Sequence, residues 1–244
     1  MKGKVRSIAE TLNLADIAIT NSINDAEILG LVSSKGYTKV KLQEGQSLLN
    51  SAYTIKDTHV ANAGAQKQAT SAAMSAKKSA IEAYQAYSSL AKGEFKGKRE
   101  MLAKLGLNKQ MPRTEAGFIA AGKTLFDNAS GDPDMKEAMS KYGYDDATLA
   151  AEASKIQAYE SANAAQKAAE GASQNSTDTQ SAVMKSLQDW VSQYKKAARI
   201  ALKDNKQLLE KLGIRVSSGR TKAQKKAPLK AAATRKAKKG SSNQ

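Results

Sequence analysis

Cysteine is absent from the sequence, which excludes disulfides and any thiolate-held zinc or iron-sulfur centre. Histidine occurs once, at His59, so neither an imidazole pair for a metal nor two imidazoles for acid-base work can be assembled. No Glu-x-x-His pair of the carboxylate-bundle kind occurs, and Asp57, Glu82, Asp145, Asp146 and Glu152 are scattered along the chain. No stretch approaches the roughly 18 consecutive apolar residues of a membrane span, and the N-terminus lacks an apolar core with a cleavage site. The expectation is a cytoplasmic, non-enzymatic protein with no membrane span, no cofactor and no catalytic, cofactor-binding or metal residues.

Breakers and large side chains are scarce too. Three prolines and 16 glycines in 244 residues favour long helices. Aromatics make up 5% of the chain, Trp190 is the sole tryptophan, and much of the 41% apolar content is alanine. Small side chains let helices approach closely but bury little area each, so long contacts must supply the stability.

What the chain does have is an internal echo. Leu102-Ala103-Lys104-Leu105-Gly106-Leu107 returns as Leu209-Glu210-Lys211-Leu212-Gly213-Ile214, 107 positions later. The same offset, without a gap, pairs Arg6 with Arg113, Asn21 with Asn128, Asp25 with Asp132, Gly36-Tyr37 with Gly143-Tyr144 and Leu42 with Leu149. It also pairs Gly64-Ala65 with Gly171-Ala172, Tyr87 with Tyr194 and Ala91 with Ala198. Between residues 6 and 107, 22 of the 102 pairs are identical, and they fall at turn glycines and helix-spaced apolar positions, where a shared fold would keep them.

Each copy reads as helices. Ser7-Ile8-Ala9-Glu10 has the capping-box form and starts a helix near 8. A second short helix runs to about Ser34, Gly36-Tyr37 breaks the run, and Thr38 caps the next helix, as Asp145 does in the second copy. Asp132-Pro133-Asp134 starts the second copy's short helix, with proline suited to a first turn. Gly64 bends or ends its helix, and Gly171 through Thr177 is rich in residues that compete with helical hydrogen bonds. The reading is a hairpin turn in both copies, followed by a closing helix from about 70 to 105 and its counterpart; the alternative is one continuous helix from 38 to 105. Gly106 and Gly213 stand where a left-handed cap is wanted.

Gly117-Phe118-Ile119-Ala120-Ala121-Gly122-Lys123-Thr124 matches the phosphate-loop expression. No strand precedes it, and at the 107 offset it aligns with Glu10 to Ile17, which reads as helix; an ordinary helix is expected. His59 sits at helical spacing from Ile55 and Ala52, as a partly buried or surface polar residue. The tyrosines and Trp190 have core spacing, with Tyr37 and Tyr144 covering helix ends.

The net charge of +16 is unevenly placed. Arg215, Arg220, Lys222, Lys225, Lys226, Lys230, Arg235, Lys236, Lys238 and Lys239 fall within residues 215–244, which hold no acid. Pro228 and the lysine, alanine and serine composition leave this segment little to bury, so a disordered basic tail is expected. Such a polyelectrolyte binds nucleic acid mainly by releasing counterions, with little base discrimination.

Asp189-Trp190-Val191-Ser192 through Leu209-Glu210-Lys211-Leu212-Gly213-Ile214, with Lys141-Tyr142-Gly143-Tyr144, resembles a group of uncharacterised bacterial all-helical tandem-repeat proteins. The resemblance implies helical repeats and carries over no activity and no site residue. The predicted fold is all-α: helical repeats over 6–107 and 113–214 forming an elongated antiparallel helical bundle, then the basic tail over 215–244. Two functions stay open. In one the tail binds DNA or RNA; in the other the helices are a scaffold that self-associates or packs on a protein partner, and the tail is incidental.

Overall fold

The computed structural model describes residues 6–216, and among them every regular element is an α-helix. Helices α1 (Ile8–Asn24), α2 (Ala26–Ser33), α3 (Lys39–Glu94) and α4 (Arg99–Lys104) are followed by α5 (Glu115–Gly131), α6 (Pro133–Ser140), α7 (Asp146–Ala201) and α8 (Lys206–Lys211). The bounds of α5–α8 each lie 107 positions after those of α1–α4.

Local chemistry sets most of these ends. At α1 the Ser7 hydroxyl accepts from the Glu10 amide at 3.1 Å, and the Glu10 carboxylate accepts from the Ser7 amide at 3.1 Å. Asp25 and Asp132 cap α2 and α6 through the same pair of amides, and Thr38 and Asp145 accept from amides three residues ahead at the starts of α3 and α7. Gly106 and Gly213 take positive φ, and Leu107 and Ile214 donate back to Leu102 and Leu209, closing the glycine-capped turn the sequence predicts.

The predicted hairpin turns at Gly64 and Gly171 are absent: α3 and α7 are unbroken 56-residue helices through both positions. Neither glycine has a positive φ, and a methyl group at either would meet nothing within 4 Å. The hydroxyls that looked like competitors bond back along their own helix. Thr177 donates to the Ser173 carbonyl at 3.0 Å, Thr179 to Asn175 at 2.8 Å and Ser181 to Thr177 at 3.0 Å. The predicted closing helix to residue 105 is also corrected, since α3 ends at Glu94 and a turn with Gly97 at φ +86° precedes α4.

The described residues divide into two compact units. Unit 1 takes the chain up to Tyr53 and from Ala182 onward; unit 2 takes Thr54 to Ser181. The units therefore do not coincide with the stretches 6–107 and 113–214. Each combines the opening helices of one stretch with the closing helices of the other, because an uninterrupted α3 cannot fold back over α1 and α2.

In unit 1, Leu42 shares a buried cluster with Tyr194, Ala198 and Leu202, while Leu49 and Ala52 share one with Met184, Leu187 and Val191. Rising numbers on α3 meet falling numbers on α7, so the two stretches are antiparallel there. Leu12, Ala15 and Ile19 of α1 lie in the second cluster, and Leu209, Leu212 and Ile214 in the first. The Trp190 ring lies on Gly45, where an added methyl would fall 2.4 Å from it. In unit 2, Phe118, Leu125 and Phe126 of α5 pack with Tyr84 and Tyr87 of α3 and Ile156 and Tyr159 of α7. Tyr87 and Tyr194 are both fully buried, but they are not equally served: Tyr194 Oη hydrogen-bonds Ser22 Oγ, whereas position 129, the counterpart of Ser22, is alanine and Tyr87 Oη has no partner among the described residues.

Two tests follow from this packing. Gly64→Ala and Gly171→Ala are expected to stabilise the fold by about 0.5–1 kcal/mol each, since both are mid-helix with open space; urea unfolding would read this, and destabilisation would indicate a turn. Ser22→Ala is expected to cost about 1–3 kcal/mol by orphaning the Tyr194 hydroxyl, whereas Ala129→Ser supplies the Tyr87 hydroxyl with a partner and stabilises; the same unfolding curves distinguish the signs.

Candidate nucleic-acid interface

Of the ten tail cations, only Arg215 lies among the described residues, and it is exposed; Arg220, Lys222, Lys225, Lys226, Lys230, Arg235, Lys236, Lys238 and Lys239 lie outside them. The start of the tail is firmly held. Leu212 and Ile214 are buried, and a Cβ built on Gly213 would lie 3.5 Å from Leu14 and 3.6 Å from Ile17 of α1. Val216 is partly buried against the cluster containing Tyr194 and Ala198. Arg215 and Val216, the first two residues of the basic segment, thus belong to unit 1.

A polar clasp pins this end. Asn21 Nδ2 donates to the Lys211 carbonyl at 2.6 Å, and Lys211 Nζ meets Asp25 Oδ2 at 2.7 Å. Unit 2 repeats it: Asn128 Nδ2 donates to the Lys104 carbonyl at 2.6 Å, and Lys104 Nζ meets Asp132 Oδ2 at 3.1 Å. The lysine in each clasp, helped by backbone amides of the helix that the carboxylate caps, holds the Asp25 and Asp132 carboxyls below their ordinary 3.8.

Charge is divided unequally between the units. Described residues of unit 1 carry 12 lysines and arginines against 8 acids; unit 2 carries 16 against 15. One cluster in unit 1 was not singled out by sequence reasoning. Lys195 and Arg199 stand one helical turn apart on α7, and Arg6, next to the cap of α1, is within electrostatic reach of Lys195. Burial first, and then the Arg6 and Arg199 guanidinium groups, lower the Lys195 pKa. None of the three has an ion pair or hydrogen bond among the described residues, and Lys195 is partly buried while Arg6 and Arg199 are exposed. The available sequence signal was the 107 offset, which sets Lys195 opposite a buried serine, Ser88.

The remaining candidates are absorbed by the fold. Gly117 through Thr124 is α-helical within α5, with the Gly117 amide capped by Thr114 Oγ1 at 3.2 Å, Lys123 paired with Glu160 at 2.6 Å, and Thr124 Oγ1 bonded to the Ala120 carbonyl at 3.0 Å. That geometry is a regular helix, and it presents no loop of free amides to a phosphate chain. His59 is partly buried, with Nδ1 3.3 Å from Ser176 Oγ, which itself donates to the Ser173 carbonyl. No group of three or more acids and histidines converges as a metal site among the described residues. Asp57, Glu82, Asp146 and Glu152 instead meet lysines, and Asp145 caps α7. Tyr37 packs against Trp190 and Tyr194, and Tyr144 against Tyr87, over the helix ends as expected. Among the described residues no helix is long and apolar enough to cross a membrane. Comparison with protein-family models, with curated proteins and with solved structures found no match.

Lys211→Met is expected to raise the Asp25 carboxyl pKa toward 3.8 while leaving Asp132 unmoved, and Lys104→Met the converse. Carboxyl carbon NMR titration reads both. Because the folded values are depressed, the clasp contributes stability that is present above the unfolded pKa and is lost as pH falls through the folded one.

Proposed function

We propose that this is a non-enzymatic, duplicated helical protein that associates with nucleic acid through its basic C-terminal segment with little sequence preference. Its two related stretches, 107 positions apart, form the helical part that precedes this segment in sequence, in keeping with the resemblance to bacterial helical-repeat proteins. The observation that carries the reading is the partition of charge: residues 215–244 hold ten cations and no acid, while unit 2 is almost neutral. A folded surface with balanced charges releases few counterions on meeting a phosphate backbone, so the tail supplies the affinity.

The scaffold reading begins from isolated apolar exposures, Val40, Val60, Met74 and Ile200, each more than 60% accessible. Scattered single exposures are ordinary on folded surfaces, so this reading ranks second. Salt separates the two, since assembly through apolar faces persists where polyelectrolyte binding collapses.

The test is fluorescence anisotropy of labelled duplex DNA and single-stranded RNA, titrated with the full chain and with a full-length variant in which all ten tail cations are glutamine. Micromolar or tighter binding is expected for the unsubstituted chain. The logarithm of affinity should fall linearly with that of salt, and the neutralised variant should lose at least about tenfold at low salt. Equal binding by the two proteins would remove the tail from the mechanism.

A further inference from the structure

The buried apolar clusters leave a gap along both long helices. Residues 54–75 of α3 and 160–181 of α7, all in unit 2, belong to none of them among the described residues. The helices still meet there: His59 Nδ1 lies 3.3 Å from Ser176 Oγ, and Asn62 Nδ2 donates to the Ala172 carbonyl at 3.4 Å. The less exposed positions follow the three-and-four spacing of a two-stranded coiled coil, as Gln66, Ala69 and Ala73 do on α3 and Ala169, Ser173 and Ser176 on α7. Between 57 and 75 and between 160 and 181, no partly or fully buried position holds an apolar side chain larger than alanine. Such a contact removes little apolar surface from water. Lys123–Glu160 at 2.6 Å and Glu115–Lys167 at 3.8 Å tie α5 to this part of α7, but exposed pairs add little.

We propose that residues 57–75 and 160–181 are an opening segment, which unfolds locally and recloses in the middle of both long helices while the apolar clusters stay packed. Helices in proteins stand mainly by burying an apolar face, and this stretch has none to bury. Intrinsic propensity does not replace it. Eight of the eleven residues from Gly171 to Ser181 are glycine, serine, threonine, asparagine or aspartate, which are weak helix formers, and Gly64 adds backbone freedom on α3. The hydroxyls of Thr177, Thr179 and Ser181 bond along their own helix and add no bond across to α3. Opening normally starts at helix ends, but here the ends carry side-chain caps, glycine turns and the two clasps. The device gives each long helix a place to let go without loss of a core. It rests on packing alone and is independent of the nucleic-acid reading.

The test is native-state amide hydrogen exchange of the full chain, read peptide by peptide by mass spectrometry and corrected for intrinsic rates. Amides of 60–72 and 163–178 should exchange at least about tenfold faster than those of 84–92 and 187–198. Equal protection, or protection that falls smoothly toward the helix ends, overturns the proposal. The cause is read from Gln66→Leu/Gln166→Leu/Gln180→Leu, which exchanges amides at partly or fully buried positions for apolar groups of similar size. It should slow exchange in the segment at least about fivefold, whereas Gln68→Leu/Gln85→Leu/Gln157→Leu, at exposed positions, should not. Equal slowing by the two triples, or none by either, removes the thin contact as the cause and sinks the proposal. Should the first triple fail to fold, Gly64→Ala/Gly171→Ala takes its place. Slowing confined to the segment then supports local opening, and uniform slowing along the chain overturns it.

Discussion

Everything in this fold depends on two helices that do not turn back. Because α3 and α7 each continue for 56 residues, the apolar faces of α1–α2 and α5–α6 cannot be covered by the far half of the helix that follows them. They are covered by the closing half of the other long helix. Rows of alanine at the contacts, with Ala15, Ala18, Ala52 and Ala198 fully buried in unit 1, allow this close approach. The clasps then fix which ends meet: each joins an opening-helix asparagine and capping aspartate to a lysine, 24 and 28 residues away in unit 2 and 190 and 186 in unit 1, at matching positions of the 107-residue offset. The energy of such exposed pairs is small, but their directionality is not, because the lysine carbonyl and ammonium must both be presented at one place.

The two units use the same scheme with different fillings. Unit 1 carries Trp190 against Gly45, where unit 2 has Ala83 and Glu152. Unit 2 carries Phe118, Phe126 and Tyr159, where unit 1 has Thr11, Ile19 and Ala52, and its Gly122 makes room for Ile156, where unit 1 has Ala15 and Leu49. Large residues in one unit thus face small ones within that same unit, as a packed interior requires when volume is conserved locally rather than position by position. The fully buried hydroxyl shows the limit of this freedom. Tyr87 and Tyr194 fill equivalent places, but only Ser22 provides a hydrogen-bond partner, so the shared side chain is better satisfied in one unit than in the other.

Sequence reasoning located what is decided within a few residues. The Ser7 capping box, the aspartate caps and the glycine turns at 36, 106, 143 and 213 all depend on local backbone chemistry. It misjudged Gly64 and Gly171 because serine, threonine and asparagine end helices only when their side chains capture backbone groups outside the helical pattern; here the hydroxyls bond to carbonyls three or four residues behind and leave the ladder intact. The exchange of closing halves was illegible for another reason. The 107 offset says that two stretches are alike, and likeness makes each half-helix an equally good match for its own opening helices and for the other pair, so only continuity of α3 and α7 decides.

The exchange also bears on how charge could act. It places the opening residues of the described chain and its closing residues in one unit, so that the cations flanking both, Lys2 and Lys4 on one side and the acid-free segment after Ile214 on the other, are tethered to the same folded body. Unit 2 receives neither flank and holds nearly equal numbers of each sign. Coulomb attraction between exposed charges decays over roughly 8 Å at physiological salt. A dispersed excess would therefore do little, whereas cations attached to one folded body act together. A solubilising terminus needs only net charge, whereas one that holds a polyanion against folded protein needs its cations attached to one body, as the flanks of unit 1 are and those of unit 2 are not.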